Sequence, residues 1–462
     1  MSQNISLDLQ PKRTLKFWHI WALGVGAVVG DGIFLLMGQG IATAGPGSIV
    51  SYMVSGLLQL FLIIALIEMA IAMPNAGAMS TWVQRMMGKS WGFLAGFTFA
   101  IGWIIAGGSV GLALGKISVW FFPSLTAAWW PAFFAIFFVT LFAVINILGA
   151  VIAARVQLYM VLALVGVMVI FGIVGLKDVN LANFTPFLPY GAEGFFSAIP
   201  LGTYAYLGAL TLVTAGAEAI NPQRDLPRGL IWSSITFILL YSFAHFVLQG
   251  IIPWNEVTMD SSPFTVAAGQ VFGVAGAFIM NLAAWIAAAT CIIMGTIYAT
   301  SRIFYSQARE GMLPKFLGVI HPKTYTPVNA IIVIWLATIS LILIGQINPE
   351  FIYVELSNQL VIAWLFSWSL ALIAGVLFRL KHKEEVAKLS WRQPLFPLFP
   401  VLGFIGIIVV LYGSFVGSLM TLVRGGIWLT ILFLLFAVFN KSAFQGLKRP
   451  VKEKEAGEVS ND

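Results

Sequence analysis

Asp31 is the residue whose chemistry most needs explaining: a carboxylate set between Gly30 and Gly32 in an apolar run spanning residues 17–37. Ionisable groups at membrane depth are costly and mark functional positions. A carboxylate there takes up a proton, meets a cation, or points away and is held by neighbouring groups; the first two readings make Asp31 a candidate for proton coupling or for contact with a cationic substrate group. Its surroundings weaken the helix. Gly24, Gly26, Gly30 and Gly32 each cost about 1 kcal/mol relative to Ala in a helix interior. A break here would bare N–H groups able to hold an anion and carbonyls able to hold an ammonium. A second segment suited to such a break is Tyr204-Ala205-Tyr206-Leu207-Gly208, in the sixth apolar run. The two runs lie five apart, the spacing of inverted repeats whose first helices are interrupted at mid-membrane. An amino acid carries both charges that such a pair would grip. Taken singly, each glycine is explained by close helix packing alone.

The other titratable groups invite plainer readings. Glu68 in the second run is a further proton-coupling candidate, weighed against a hydrogen-bonding role within the bundle. Lys116 can snorkel from the outer end of the third run, and His245 reads as a bonded packing residue. His19, His245, His321 and His382 are scattered, without the paired spacing of a helix-borne zinc site. Cys291 is the one cysteine. Gly24 to Gly30 does not have the spacing of a dinucleotide fingerprint, and no strand precedes it. No metal, cofactor or catalytic residue is expected. A channel would need rings of like residues from repeated subunits.

These residues must be positioned by membrane helices. The 462-residue chain is 60% hydrophobic and 9% charged, against about 25% charged in soluble proteins. Apolar runs at 17–37, 47–73, 92–122, 129–149, 152–176, 195–219, 229–252, 272–303, 327–346, 354–378, 396–418 and 425–440 predict about twelve spans of roughly 20 residues each. None alternates in polarity as a barrel strand would, so the fold class is an all-α integral membrane protein. Residues 79–90 are expected to form an interfacial piece, and 305–325 a short helix pair. With both termini inside, the cytoplasmic segments hold Arg85, Lys89, Arg155, Arg224, Arg228, Arg302, Arg309, Arg379 and Lys381, while outer loops keep Lys177 and Arg424. The net charge of +7 therefore reads as an insertion signal for the cytoplasmic membrane, with the lipid bilayer as partner and no nucleic acid.

Four separated motifs carry a family resemblance. They are Gly30-Asp31-Gly32-Ile33-Phe34; Glu68 with Pro74 and Gly77; Glu218-Ala219-Ile220-Asn221-Pro222-Gln223-Arg224-Asp225-Leu226-Pro227-Arg228; and Ser301-Arg302 with Ala308-Arg309-Glu310-Gly311-Met312-Leu313-Pro314, then Thr326-Pro327. In this order they resemble the amino acid–polyamine–organocation superfamily. The resemblance implies a five-plus-five inverted repeat with discontinuous helices one and six, two extra helices, and alternating access. It divides the chain into a cytoplasmic tail (1–16), a transport core (17–378), a cytoplasmic loop (379–395), two accessory spans (396–440) and a second tail (441–462).

By the same resemblance the substrate site falls on Val28, Gly30, Asp31, Gly32 and Ile33 of span one and Tyr204, Ala205, Leu207 and Gly208 of span six. The substrate carboxylate would meet N–H groups near Asp31, Gly32 and Ile33. Its ammonium would meet carbonyls near Val28, Tyr204, Ala205 and Leu207, with Tyr204 as an aromatic lid. Two departures stand out. Asp31 replaces the usual Ser or Thr, and an ionised Asp31 would repel a carboxylate at 4 Å by roughly 4 kcal/mol at an effective dielectric of 20. No lysine occurs in the run Leu158 to Leu176 of span five, where some proton-coupled relatives place one. The expected function is secondary active transport of amino acids, proton-coupled or by exchange. The alternative is a polyamine or organic-amine permease with Asp31 on the cationic group, and a membrane-embedded enzyme is the weaker rival.

Overall fold

A computed structural model describes residues 11–34, 36–257, 262–348 and 356–439. The side chains of Asp31, Ser357, Asn358 and residues 435–439, and the tail 441–462, lie outside the described residues. Among the described residues there is no strand, only an isolated bridge between Leu15 and Ala219. Among these described residues ten helices are long and apolar enough to cross a membrane, and two shorter apolar helices, Phe17–Val28 and Leu419–Leu434, accompany them.

The first span is divided. Helix α1 (Phe17–Val28) ends at Val29, whose φ of −76° and ψ of 97° are extended rather than helical. Helix α2 (Asp31–Phe34) restarts after Gly30, and α3 (Leu36–Ala44) continues to the Gly45-Pro46-Gly47 turn. The apolar stretch Leu36–Ala72 is 37 residues long, about 55 Å if straight, far more than one bilayer crossing. Gly45 at φ +60° divides it, and α4 (Ser48–Ala72) is the second span.

The expected interfacial piece is α5 (Met79–Met87), a nine-residue helix. Then follow α6 (Lys89–Trp120), α7 (Trp130–Leu148), α8 (Ala150–Gly175) and α9 (Gly191–Tyr206). Span six does not unwind. At Leu207 it changes from α-helix to a 3-10 helix that runs to Glu218. Runs of 3-10 helix longer than three or four residues are uncommon, and mid-span they mark hinges or strain. The discontinuity expected there is a change of helix type rather than a gap.

Beyond it lie α10 (Pro222–Ile251), α11 (Pro263–Cys291), a π-helical stretch Ile292–Ala299, and α12 (Thr300–Arg309). Helix α10 begins seven residues before the predicted span because Pro222 suits the first helical turn, where its missing N–H would be unpaired anyway. Of the expected pair at 305–325, α12 and a short 3-10 turn at Lys315–Gly318 are formed. The remaining helices are α13 (Val328–Ile347), α14 (Ser357–Lys381), α15 (Lys383–Ala387), α16 (Leu398–Gly417) and α17 (Leu419–Phe439).

Lipid tails are as apolar as leucine, so these helices associate through close packing and interhelical hydrogen bonds. Ser51 and Ser55, one turn apart on α4, donate to the α9 carbonyls of Phe195 and Ile199, each at 2.9 Å. Residues Ile20 to Val28 of α1 are buried without exception. The broken span thus sits at the centre of the bundle.

Candidate functional site

A small cavity lies where α1 ends. Its floor is Ala27, Val28, Gly30 and Gly32 from span one, and Tyr204, Ala205, Leu207 and Gly208 from span six. The other wall is Trp103, Ala106 and Val110 of α6, Cys291 of α11, and Leu360 and Trp364 of α14. Its volume of about 20 Å³ suits one water molecule, so an amino acid would enter only if these walls part.

Backbone contact brings the two spans together. A Cβ on Gly208 would stand 1.9 Å from the carbonyl oxygen of Ala27, and one on Gly32 would stand 2.8 Å from the Cα of Ala205. Any larger residue at either place would force the spans apart. The structure therefore gathers Val28, Gly30, Gly32, Tyr204, Ala205, Leu207 and Gly208 around one space. Ile33 is buried one residue beyond that lining. The Asp31 backbone opens α2, between two lining glycines, and its side chain lies outside the described residues.

Three consecutive carbonyls at the break face side chains from other helices. Tyr241 of α10 donates from its hydroxyl to the carbonyl of Val28 at 3.0 Å. Thr290 Oγ1 lies 3.5 Å from the carbonyl of Val29 but donates more closely, at 2.8 Å, to Ala287 of its own helix. The thiol of Cys291 is 3.9 Å from the carbonyl of Ala27. These carbonyls are orphans of a helix C-terminus, and their partners come from α10 and α11. Gln157 of α8 sits beside Gly26 and donates to the carbonyl of Thr290 at 3.2 Å. A neutral amide thus links the fifth span to the first and eighth.

The tryptophan wall is fixed at its edges. Trp103 Nε1 donates to Thr211 Oγ1 at 3.1 Å, Trp364 Nε1 donates to the carbonyl of Phe99 at 2.9 Å, and the two rings lie 4.9 Å apart. Behind Trp103 runs the π-helical stretch, whose Gly295 abuts the indole. The looser helix leaves carbonyls for others: Asn146 donates to Ile293 at 3.2 Å, and Thr300 to Gly295 at 3.1 Å. Sequence reasoning missed Trp103, Gln157, Tyr241 and Trp364. A tryptophan or glutamine among many apolar residues carries no spacing signal.

A sequence model of the amino acid permease family matches residues 19–439. This chain belongs to that family. The permease is therefore a multi-pass membrane transporter rather than an enzyme. It is 29% identical to a branched-chain amino acid permease of Lactococcus lactis subsp. cremoris over 91% of this chain and 93% of that one. It is 28% identical to a putative histidine permease of Bacillus subtilis, covering 86% of each. It is 26% identical to an aromatic amino acid transport protein of Escherichia coli O157:H7, over 94% of this chain and 97% of that one.

Away from the cavity two ion pairs join separate helices through a buried carboxylate. Glu68 pairs with Arg379 and accepts the backbone N–H of Gln393 at 2.6 Å, fastening α4 to the segments on either side of α15. Glu218, at the end of the 3-10 stretch, meets Arg302 of α12 at 2.6 Å, both fully buried. The guanidinium also covers the ring of Tyr298, 3.3 Å from its centroid. His245 is within hydrogen-bonding distance of Ser48 (3.2 Å) and Gln249 (2.8 Å). Lys116 is exposed.

Proposed function

We propose that this permease is a secondary active transporter that moves amino acids across the cytoplasmic membrane by alternating access, with both termini on the cytoplasmic side. The observation that carries the reading is the interruption of span one at Val29–Gly30, directly against the change of helix type in span six. In this reading the two spans begin two inverted repeats of five helices, residues 17–378, and the last two helices are accessory. The substrate carboxylate is received by the N–H groups of Asp31, Gly32 and Ile33, which as first residues of a helix have no intrahelical partner. The ammonium is received by carbonyls of Val28, Tyr204, Ala205 and Leu207. Val28 keeps a second lone pair beside its bond from Tyr241. Tyr204 closes over the bound substrate.

The wall formed by Trp103, Ala106, Val110, Cys291, Leu360 and Trp364 presents no charged side chain. That supports a neutral, apolar amino acid, since a charged side chain there would be desolvated without a partner. Asp31 carries the coupling: it holds a proton when the carboxylate arrives and so avoids the repulsion of two like charges. Glu68, engaged by Arg379 and Gln393, holds helices together and lies outside the substrate path. Uptake into proteoliposomes tests this reading. Leucine or phenylalanine is expected to be taken up and to raise the unfolding temperature by mass action, while lysine and glutamate do neither. Asp31→Asn is expected to abolish uptake or remove its pH dependence. Wild-type uptake with unchanged pH dependence in that variant would take Asp31 out of the mechanism.

A further inference from the structure

A cleft of about 650 Å³ lies far from the cavity, at the end of the bundle where α1 and α10 both begin. It is lined by Lys16, Arg224, Arg228, Trp18 and Trp232, together with Phe17, Ile220, Asn221 and Asp225. Asp225 is buried and paired with Arg224 at 3.0 Å, which, among the described residues, leaves the exposed Lys16 and Arg228 as the cleft's uncompensated charge.

The cleft is built rather than incidental. Thr14 and Leu15 donate their N–H groups to the carbonyl of Glu218 at 2.8 and 2.9 Å, and Ile220 donates back to Leu15 at 3.0 Å. This pairing fixes Lys16 beside the start of α10. On α10, Arg224, Arg228 and Trp232 follow at intervals of four and so form one stripe. Along both helices the cation comes first and the tryptophan lies deeper. Trp18 and Trp232 are 61% and 55% exposed, and Leu239, farther along α10, is 64% exposed. Such an order matches a membrane interface, where indoles sit at headgroup level above an apolar face.

We propose that this cleft binds the phosphate headgroup of an anionic phospholipid, with Lys16 and Arg228 on the phosphate, the two tryptophans flanking the glycerol region, and the acyl chains along the outer face of α10. Basic pockets between transmembrane helices take anionic headgroups in this way. Free inorganic phosphate has the same charge chemistry but no use for the indoles or the apolar face below them. Because Lys16 opens α1 and Arg228 belongs to α10, the lipid clamps the entrance of the divided span to its neighbour.

The test uses the purified full chain, delipidated and then given phosphatidylglycerol, phosphatidylcholine or inorganic phosphate. Phosphatidylglycerol is expected to raise the unfolding temperature and to stay bound in native mass spectrometry, while the other two do neither. The K16Q/R228Q variant is expected to bind phosphatidylglycerol about 30-fold more weakly, at about 1 kcal/mol for each basic contact. Equal binding in the variant, or an equal shift with inorganic phosphate, overturns the proposal. A photoactivatable phosphatidylglycerol on the unmodified chain gives an answer that does not depend on the variant folding. Labelling of residues 16–18 and 220–232 is expected, and labelling confined to other segments refutes the site.

Discussion

The two ends of the 3-10 stretch in span six are held in opposite ways. At Leu207 it meets span one through backbone, with Gly208 pressed on the carbonyl of Ala27 and, among the described residues, no charged side chain lining the cavity. At Glu218 it is fastened by charge: the carboxylate meets Arg302, and the main-chain carbonyl receives Thr14 and Leu15. A 3-10 helix has poorer hydrogen-bond geometry than an α-helix, so it can rewind at modest cost. The end able to change shape is the one at the cavity, and the other end is anchored. It follows that the anchored end should be sensitive to lost charge and the cavity end to added volume.

The largest effect is expected at the anchor. Arg302→Met leaves Glu218 buried without its counterion, and removing one partner of such a pair costs about 3–5 kcal/mol. Thermal unfolding of the purified protein should show a large loss, and the E218Q/R302M double variant should recover much of it. A single variant as stable as wild type would mean that the ion pair fastens nothing. Next comes the cavity end. Gly208→Ala places a methyl 1.9 Å from the carbonyl oxygen of Ala27, and overpacking of this kind costs about 1–3 kcal/mol. Uptake should fall much further than stability, because the displaced Ala27 carbonyl and Val28 N–H directly precede the Val28 carbonyl proposed to hold the substrate ammonium. Wild-type uptake would show that the two spans need not touch there.

How much of this could be read from the sequence differs between the same two regions. The break in span one was visible as glycines crowded around an acid, since each of those residue types weakens a membrane helix by a known mechanism. The change of helix type at Leu207 was not, because Leu207-Gly208-Ala209-Leu210 suits α and 3-10 helix alike and packing against Ala27 decides between them. Glu218 and Arg302 were recognised as parts of separate motifs. Their union depends on folding over 84 residues, which no local pattern records. Trp103 and Trp364 likewise became site residues only when α6 and α14 were brought side by side.

The smallest change probes the break itself. Tyr241→Phe keeps the aromatic ring against Tyr206, whose centroid is 5.0 Å away, and removes the hydroxyl that donates to Val28. The net loss for one such hydrogen bond is about 0.5–1.5 kcal/mol, so the substrate-free protein should unfold at a slightly lower temperature. The freed carbonyl is one of those proposed to receive the substrate ammonium, and a bound substrate would restore the missing partner. Substrate should therefore raise the unfolding temperature of Tyr241→Phe by more than it raises that of wild type. Equal shifts in the two proteins would place the ammonium elsewhere and leave the carbonyls of Tyr204, Ala205 and Leu207 to hold it alone.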